Sequence, residues 1–309
     1  MKKVVILLLT VLIGLFVVDR IGGEICEEIH AYSNGLTASK YRELFSSDKN
    51  ECDNQMILLG TSRCEAHYVS SIMSDSLGMT VYNGGIDASD NIYSHYAALC
   101  LTLKNCKPRY IGLELRECDF AATSDDPFTT LTYLAPYIGE NEEVDDLFRR
   151  AGTYWRYQIS HLYRYNSKIM EDLAGYAVSY SKLMDHGYLK KDKPSVAPDK
   201  RDTMPSTFEI DTLKVHYLDL FAKRCKENGV TLFCMISPNY DIATSTTFEY
   251  LHEWAERNEI ILFDYHTSKL FSDRPDLFYD NHHLWHDGAV RYSEIFVHDL
   301  KEIIQKEHK

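Results

Sequence analysis

One short stretch near the start of the chain constrains the fold more than any other. The apolar run Met56–Leu59 leads directly into Gly60–Arg63, which reads Gly-Thr-Ser-Arg. A short apolar run that ends at glycine is typical of a buried strand in a parallel sheet. The next residues, Cys64–Leu77, carry apolar side chains at helical spacing, so Ser62 is predicted on a strand-to-helix turn. Open α/β sheets place ligand sites at the carboxyl ends of their strands, and this turn is such a position.

Strand and helix patterns alternate along the rest of the chain. The predicted strands are Met56–Gly60, Met79–Asn83, Tyr110–Leu115, Val230–Ile236 and Ile260–Asp264. Helical periodicity lies between them at 91–103 and 213–227, and again after Asp287. This alternation predicts β-α-β units and a three-layer α/β/α sandwich, with five parallel strands in the flavodoxin-like order 2-1-3-4-5.

The interval from about 120 to 210 interrupts this alternation. It is rich in tyrosine and mostly helical in pattern, and it ends in the polar loop Lys190–Pro205. We predict a helical insertion over the carboxyl edge of the sheet. The α/β domain that contains it is expected to span 51–309, with 23–50 as a linker helix before it.

The N-terminus indicates a membrane segment. Lys2 and Lys3 precede Val4–Val18, fifteen residues without charge. At about 1.5 Å per residue the run covers about 22 Å, which is less than a hydrocarbon core and also the length of a signal-peptide core. No small-x-small cleavage pattern follows, so residues 1–22 are predicted to form an uncleaved signal anchor. The lysines should stay in the cytoplasm and the domain should lie outside it, in the periplasm or the extracellular space.

Charge and cysteine content narrow the choice of partners. The formal net charge is −13, which argues against nucleic acid and anionic membrane surfaces and favours neutral glycans or small acyl donors. The eight cysteines include no C-x-x-C pair, so no zinc or thioredoxin-like motif is expected. Disulfides are permitted outside the cytoplasm, but their pairing is not determined by the sequence.

A second motif lies near the other end of the chain. Asp280 and His283 form D-x-x-H just before the predicted last helix. This spacing lets the carboxylate reach one imidazole nitrogen and leaves the other nitrogen free to face a serine. The predicted triad is Ser62 as nucleophile, His283 as general base and acid, and Asp280 as the group that fixes the histidine tautomer. The alternatives are that Ser62 only caps a helix and that D-x-x-H is a chance surface pair.

Together, G-T-S-R near the start and D-x-x-H before the last helix resemble the SGNH/GDSL hydrolase superfamily. More narrowly, the chain is similar to membrane-anchored members related to the D-alanyl-transfer proteins of lipoteichoic acid synthesis and to the alginate O-acetyltransferases. The resemblance covers roughly residues 50 to 305. It implies a serine esterase or O-acyltransferase that acts on acyl groups of an envelope glycan or polysaccharide, with a membrane-bound O-acyltransferase as partner.

The resemblance also implies an oxyanion hole. In the family, a glycine after the second strand donates a backbone N–H, and Asn83-Gly84-Gly85 matches that block, with Gly85 as the best match. The backbone N–H of Ser62 is the other expected donor. The alternative is that the two glycines only form a turn. The family's third block usually offers an Asn side chain, which Leu115–Asp119 lacks, so the third donor stays open.

Three further residues are candidates for substrate binding: Arg63, Asn83 and Arg116. Arg63 directly follows the predicted nucleophile and could orient an anionic group or a sugar hydroxyl, or it could pair with an acid. Arg116 could replace the missing third donor, or pair with the neighbouring Glu117 or Asp119. The sequence does not decide between the two roles of Arg63, whereas for Arg116 it favours pairing with one of these acids.

A metal site must also be weighed, because the loop carries two more histidines. Asp280, His282 and His286 could form a zinc-binding set. His286 is next to the predicted helix start, however, and no fourth ligand is evident. We therefore expect no metal and no cofactor, and interpret these imidazoles as rim or packing residues.

Two function classes remain open. An enzyme that uses water as acceptor is a hydrolase, whereas one that uses a sugar hydroxyl is a transferase, and the acyl-enzyme half of both reactions is identical. The other class is a non-catalytic accessory protein that keeps the fold and binds glycan or a membrane partner. The missing Asn of the third block favours the second class, and the predicted triad favours the first.

Overall fold

The structure is a computed structural model that describes residues 1–45, 54–87, 91–122, 128–166, 168–242 and 244–307. Its centre is a sheet of five strands. They are β1 (Met56–Leu59), β2 (Val81–Asn83), β3 (Tyr110–Glu114), β4 (Thr231–Ile236) and β5 (Ile261–Asp264). All pairs in the sheet are parallel, and the order is β2-β1-β3-β4-β5. The predicted α/β fold class is confirmed.

Helices pack on both faces of this sheet, and two helices, α1 and α2, precede it in the chain. The α-helices are α1 (Lys2–Tyr32), α2 (Leu36–Phe45), α3 (Ser62–His67), α4 (Ser70–Leu77), α5 (Ile92–Asn105), α6 (Glu142–Arg150), α7 (Tyr154–Ile159), α8 (Ile169–Ala177), α9 (Thr212–Glu227), α10 (Thr246–Arg257), α11 (Lys269–Ser272) and α12 (His286–Glu307). Turns of 3₁₀ helix occupy Glu117–Asp119, Thr129–Tyr137, Leu162–Tyr165, Tyr180–Leu183 and Pro275–Leu277.

Two apolar cores lie on opposite faces of the sheet. Because side chains alternate along a strand, Ile57 and Leu59 of β1 join a core built with α5, α9 and α10. Met56 and Leu58 join a second core built with α4 and α12. All four side chains are at most 1% exposed. Burial on both faces explains why the strand reads as a continuous apolar run rather than as an alternating one.

The helix predicted over Cys64–Leu77 is broken in the structure. Tyr68 and Val69 are extended and separate α3 from α4. The cause is a contact distant in sequence: the Val69 N–H donates to the Ser293 hydroxyl of α12 at 2.8 Å instead of continuing the helix. Both residues are buried, so the break brings their side chains into the core.

The interval predicted as an insertion contains α6, α7 and α8, several 3₁₀ turns, and the antiparallel hairpin Met184–Asp185 with Tyr188–Leu189. The hairpin tip lies at the carboxyl end of β2, where the Asn83 N–H donates to the His186 carbonyl at 2.9 Å. Helix α6 packs on α5, and α8 packs on α1. The insertion therefore joins the sheet edge to the N-terminal helix.

The stretch predicted as a linker helix packs closely on the domain. Its second helix, α2, places Tyr41 and Leu44 in the first core at 2% and 1% exposure. Helix α1 is long and apolar enough to cross a membrane, a test that a signal sequence also passes, and none of its most apolar 18-residue window is buried. Its C-terminal half is part of the folded domain, since Gly23, Cys26 and His30 are buried.

Candidate active site

Ser62 lies on the sharp turn that follows β1. It is the first residue of α3, and it is 7% exposed. The turn depends on Gly60, because a Cβ there would lie 2.7 Å from the Cβ atoms of both Cys64 and Glu114. Thr61, between them, is fully buried. The carboxyl end of the strand therefore presents the Ser62 hydroxyl at the edge of the sheet.

The loop before α12 brings in the histidine. It is closed by a hydrogen bond from the Tyr279 N–H to the His283 carbonyl at 2.7 Å, and by an antiparallel bridge between Phe278 and Leu284. Phe278 and Leu284 are fully buried and belong to the second core. Their burial fixes the base of the loop, whereas the residues between them, 279–283, are partly or fully exposed.

The structure brings Ser62, His283 and Asp280 together, and we call these three residues the candidate triad. The Ser62 hydroxyl lies 2.8 Å from His283 Nε2. On the other side of the ring, His283 Nδ1 lies 2.9 Å from both carboxylate oxygens of Asp280. An ionised carboxylate only accepts, so Nδ1 carries the proton and Nε2 is left to accept from the serine hydroxyl.

Asp280 is kept ionised by its hydrogen bonds. Desolvation would raise the pKa of this carboxyl, but the His283 ring and the backbone N–H groups of His282 and His283 outweigh it and hold the pKa at about 2. Both backbone N–H groups donate to the same carboxylate oxygen at 2.8 Å. The carboxylate thus orients the histidine and favours the imidazolium that forms when the ring takes a proton.

The two other histidines of this loop point away from the candidate triad. His282 Nδ1 lies 3.3 Å from the Asn239 side chain, and His286 Nδ1 lies 3.0 Å from the Tyr188 hydroxyl. Within the described ranges, no group of three or more His, Cys, Asp and Glu side chains is arranged to hold a metal ion.

The two expected oxyanion donors differ in their surroundings. The Ser62 N–H begins α3 and therefore has no intrahelical carbonyl to bond. The Gly85 N–H instead donates to the Asn83 side-chain oxygen at 3.0 Å, and the Gly85 carbonyl accepts from the buried Lys40 ammonium. A Cβ at Gly85 would overlap the backbone nitrogen of Glu65. Gly85 therefore packs tightly against α3, and its N–H would have to leave Asn83 to bind an oxyanion.

Asn83, a predicted substrate-binding residue, is turned inward in the structure. It is fully buried, and its amide donates to the carbonyls of Cys64 at 2.7 Å and Tyr68 at 3.0 Å. These bonds tie the end of β2 to the carbonyl end of α3. With both ends of its amide used, Asn83 holds the turn around Ser62 rather than facing solvent.

Arg63, also predicted to bind substrate, is 4% exposed and has internal partners. One guanidinium nitrogen donates to the Ser237 carbonyl at 2.6 Å and lies 3.2 Å from a Glu114 carboxylate oxygen. The physical reason is the helix itself: successive side chains point about 100° apart around its axis, so the residue after Ser62 faces inward. Of the two roles left open by the sequence, the structure shows the pairing with an acid.

Arg116 lies at the start of the 3₁₀ turn after β3 and is partly exposed. Its backbone N–H donates to an Asp119 carboxylate oxygen at 2.7 Å, and its guanidinium contacts the Cys118 sulfur at 3.1 Å. Arg116 therefore contacts Asp119, one of the two acids expected as its partner, through its backbone N–H.

A set of buried polar groups lies directly beneath the candidate triad. We call it the buried polar layer, and it consists of Arg63, His67, Glu114 and Ser237. The His67 Nε2 accepts from the Leu284 N–H at 2.9 Å, so its Nδ1 carries the proton and donates to the Ser237 hydroxyl at 2.8 Å. Burial, and then the nearby Arg63 charge, lower the pKa of His67 well below 6.5, which keeps this ring neutral.

Glu114 is the acceptor at the centre of the buried polar layer. Its carboxylate accepts from the Ser237 hydroxyl at 2.6 Å and from the Ser237 N–H at 3.1 Å, and it also bonds the Tyr68 hydroxyl. Burial raises the pKa of Glu114, and the Arg63 charge opposes that rise. The residue is fully buried at the end of β3.

Sequence reasoning missed His67, Glu114 and Ser237. One signal was present, because Glu114 is the only charged residue in the apolar run Tyr110–Leu115, and a carboxylate in a buried strand requires a buried partner. His67 and Ser237 gave no such signal, since a histidine on a short helix and a serine after a strand are both common.

Comparisons with known proteins find a distant similarity to a solved structure. No protein-family model matches the chain, and no curated protein matches it. Among solved structures, it is similar to the crystal structure of a "putative acylhydrolase" from Bacteroides fragilis, with 12% identity over 88% of this chain and 95% of that chain, and a TM-score of 0.42. We therefore infer the function from the geometry of the site.

Proposed function

We propose that this chain is a serine esterase or O-acyltransferase of the SGNH type, with Ser62, His283 and Asp280 as its catalytic residues. The observation that carries the proposal is the unbroken chain of hydrogen bonds from the Ser62 hydroxyl through the His283 ring to the Asp280 carboxylate. A serine that only capped α3 would bond the backbone of its own helix. Here its hydroxyl faces an imidazole from a loop 221 residues away in sequence.

The proposed reaction has two halves. As the Ser62 oxygen attacks an acyl carbonyl, its proton moves to His283 Nε2, and the same proton then goes to the leaving alkoxide. In the second half, Nε2 takes a proton from water or from a sugar hydroxyl, whose oxygen attacks the acyl-serine and releases Ser62 with its proton restored. Asp280 stabilises the imidazolium in both halves.

The tetrahedral intermediate of each half needs hydrogen-bond donors. The proposal assigns this role first to the Ser62 N–H, which begins α3. Gly85 is the second donor, provided that substrate binding separates its N–H from the Asn83 side chain, which it contacts at 3.0 Å.

We further propose that the substrate is an acylated envelope glycan or polysaccharide met outside the cytoplasm. The apolar N-terminal helix supports a membrane anchor, and the burial of its C-terminal half within the domain favours a segment that stays attached. Cys106 is disulfide-bonded, a state that persists in oxidising compartments. Transfer, rather than hydrolysis, would suit a membrane-bound O-acyltransferase that passes acyl groups outward as partner.

One observation favours a second candidate function, a non-catalytic accessory protein that binds glycan or a membrane partner. The Gly85 N–H is occupied by the Asn83 side chain, and the stretch Leu115–Asp119, which corresponds to the family's third block, lacks the Asn that this block usually has. A protein with one oxyanion donor could keep the fold while having lost turnover.

Ester hydrolysis separates the two candidates. Full-length protein is purified in detergent and assayed with p-nitrophenyl acetate and with an O-acetylated polysaccharide, with and without a free sugar acceptor. We expect acetate release that disappears in Ser62→Ala and persists in Ser76→Ala, a matched serine change on α4. Equal background rates in wild type and Ser62→Ala, with retained binding of the polysaccharide, would support the accessory protein and contradict the enzyme.

A further inference from the structure

The C-terminal half of α1 is bonded directly to the insertion. The Asp19 carboxylate accepts from the Ser160 hydroxyl and from the His161 N–H, the latter at 2.9 Å. Arg20 donates to the Ile159 carbonyl at 3.2 Å. Asp19 and Arg20 are the residues at which the apolar run of α1 ends, so the insertion touches the helix at that level.

Two glycines of α1 allow the insertion to approach this helix closely at the same place. A Cβ at Gly22 would lie 2.7 Å from Leu162 Cδ1, and a Cβ at Gly23 would overlap the side chain of His161. Larger residues would therefore push the insertion away from α1. These close contacts fix the position of residues 158–162 along the axis of α1.

That position matters if α1 spans a membrane, as proposed above. The uncharged run Val4–Val18 covers about 22 Å, so about 8 Å of a hydrocarbon core of about 30 Å remains to be filled. The missing length has to come from residues just beyond Val18, or from groups packed beside them. The segment at 158–162 occupies this level.

The insertion presents apolar side chains there. Trp155 and Ile159 are one turn apart on α7, on the same face, and are 70% and 72% exposed. Leu162 and Tyr163 follow in the next turn and are also exposed, as is Ile21 on α1. Trp and Tyr are the residue types that concentrate where hydrocarbon meets headgroups.

We propose that this interfacial patch, defined as Trp155, Ile159, Leu162 and Tyr163, enters the headgroup and upper acyl region of the leaflet from which α1 emerges. The partner is the lipid surface itself, because the patch is continuous with a helix that passes through that surface. The domain is then held by two membrane contacts and keeps a fixed tilt and height above the bilayer.

The patch can be tested by the fluorescence of Trp155, one of three tryptophans in the chain. Full-length protein is placed in phosphatidylcholine vesicles whose acyl chains carry bromine near the headgroup. Trp254 is 1% exposed in the core, and the Trp285 indole N–H donates to the carbonyl of Asp276, in the 3₁₀ turn Pro275–Leu277. We expect brominated lipid to quench part of the emission, and we expect most of that quenching to be lost in Trp155→Phe but retained in the control Trp285→Phe.

The opposite result is equally clear. If Trp155 emission is quenched by aqueous iodide and not by brominated lipid, the patch faces water or a protein partner, and the proposal is rejected. Protease protection of the N-terminus in the same vesicles reports whether α1 spans, and a helix that does not span also rejects it. Ser62-dependent ester hydrolysis, measured on the same sample, tests the proposed activity independently of both outcomes.

Discussion

The candidate triad and the buried polar layer are neighbouring polar networks that differ in how far their charged and imidazole groups are exposed to water. In the candidate triad, the Asp280 side chain is 45% exposed and the His283 side chain 19%. In the buried polar layer no residue is more than 4% exposed. Loss of a bond in an exposed network is repaired by water, whereas a buried group left without its partner has no such replacement. Changes in the two networks should therefore affect different properties.

The two networks are also joined through the chain. Arg63 of the buried polar layer directly follows Ser62, and Leu284, whose N–H donates to His67, directly follows His283. Ser62 and His283 are thus each followed in the chain by a residue that is hydrogen-bonded within the buried polar layer or to it. We infer that the buried polar layer positions the candidate triad, whereas the candidate triad does not stabilise the layer.

The largest effect expected is on turnover. Ser62→Ala and His283→Ala should each lower kcat/KM by several orders of magnitude, and the double change should cost little more, because residues that act as a unit are not additive. Asp280→Ala should retain on the order of 10²-fold more activity than either. Ester hydrolysis measures the loss, and thermal unfolding should show little change. Additive losses in the double variant would contradict a shared role.

The next effect concerns stability. Glu114→Ala leaves the Arg63 guanidinium buried without its carboxylate, which should lower the free energy of unfolding by about 3–5 kcal/mol. Urea denaturation checks this value. Glu114→Gln is the matched control, because its amide oxygen still accepts from Ser237, and it should cost less. A Glu114→Ala protein as stable as the wild type would show that the layer is not a stabilising network.

A smaller effect tests the link between the networks. The side chain of His67→Gln can place an oxygen near the position of Nε2 and keep the bond from the Leu284 N–H, whereas the shorter His67→Asn cannot. In His67→Asn the buried Leu284 N–H is left unsatisfied, which costs about 1–3 kcal/mol. Because Leu284 directly follows His283, we expect the kcat of His67→Asn to be roughly tenfold lower than that of the wild type. Steady-state kinetics of both variants provide the test. Equal kcat values in the two would mean that this bond does not position His283.

The smallest effect is a pH dependence of stability. His67 stays neutral in the folded chain because its pKa lies well below 6.5, whereas the unfolded chain takes up a proton near pH 6.5. The unfolded state therefore binds more protons below that pH, and this residue's contribution lowers stability by up to about 1.4 kcal/mol per pH unit as the pH drops. His67→Gln should lack this contribution. Parallel stability curves for both proteins between pH 7 and 5 would contradict a buried neutral His67.

The sheet could be predicted from sequence because its signal is local. Each strand is an apolar run bounded by breakers, and the observed bounds differ from the predicted ones by only one or two residues, as for β2, which begins at Val81 rather than Met79. Ser62 and the D-x-x-H loop were found because each lies at a motif of its own. Contact between them was expected because, in a doubly wound sheet, the loops after the first and fifth strands open at the same edge.

The buried polar layer could not be predicted, because it depends on contacts between distant residues. Ser237 and Glu114 lie 123 positions apart, and His67 and Leu284 lie 217 apart. The same cause explains why Arg63 was a candidate for substrate binding, since the sequence did not show that Glu114 lies beneath it. The break in the helix at Val69, set by Ser293, is another case.

The most direct test of the central claim is covalent labelling by a serine-directed fluorophosphonate. The labelled residue is identified by mass spectrometry of the digested full-length protein. If Ser62 is activated by His283, the label should be found on Ser62 in the wild type and in Ser76→Ala, be absent from Ser62→Ala, and form far more slowly in His283→Ala. Absence of label from Ser62 in the folded wild-type protein, or equal labelling rates in the wild type and His283→Ala, would contradict the account.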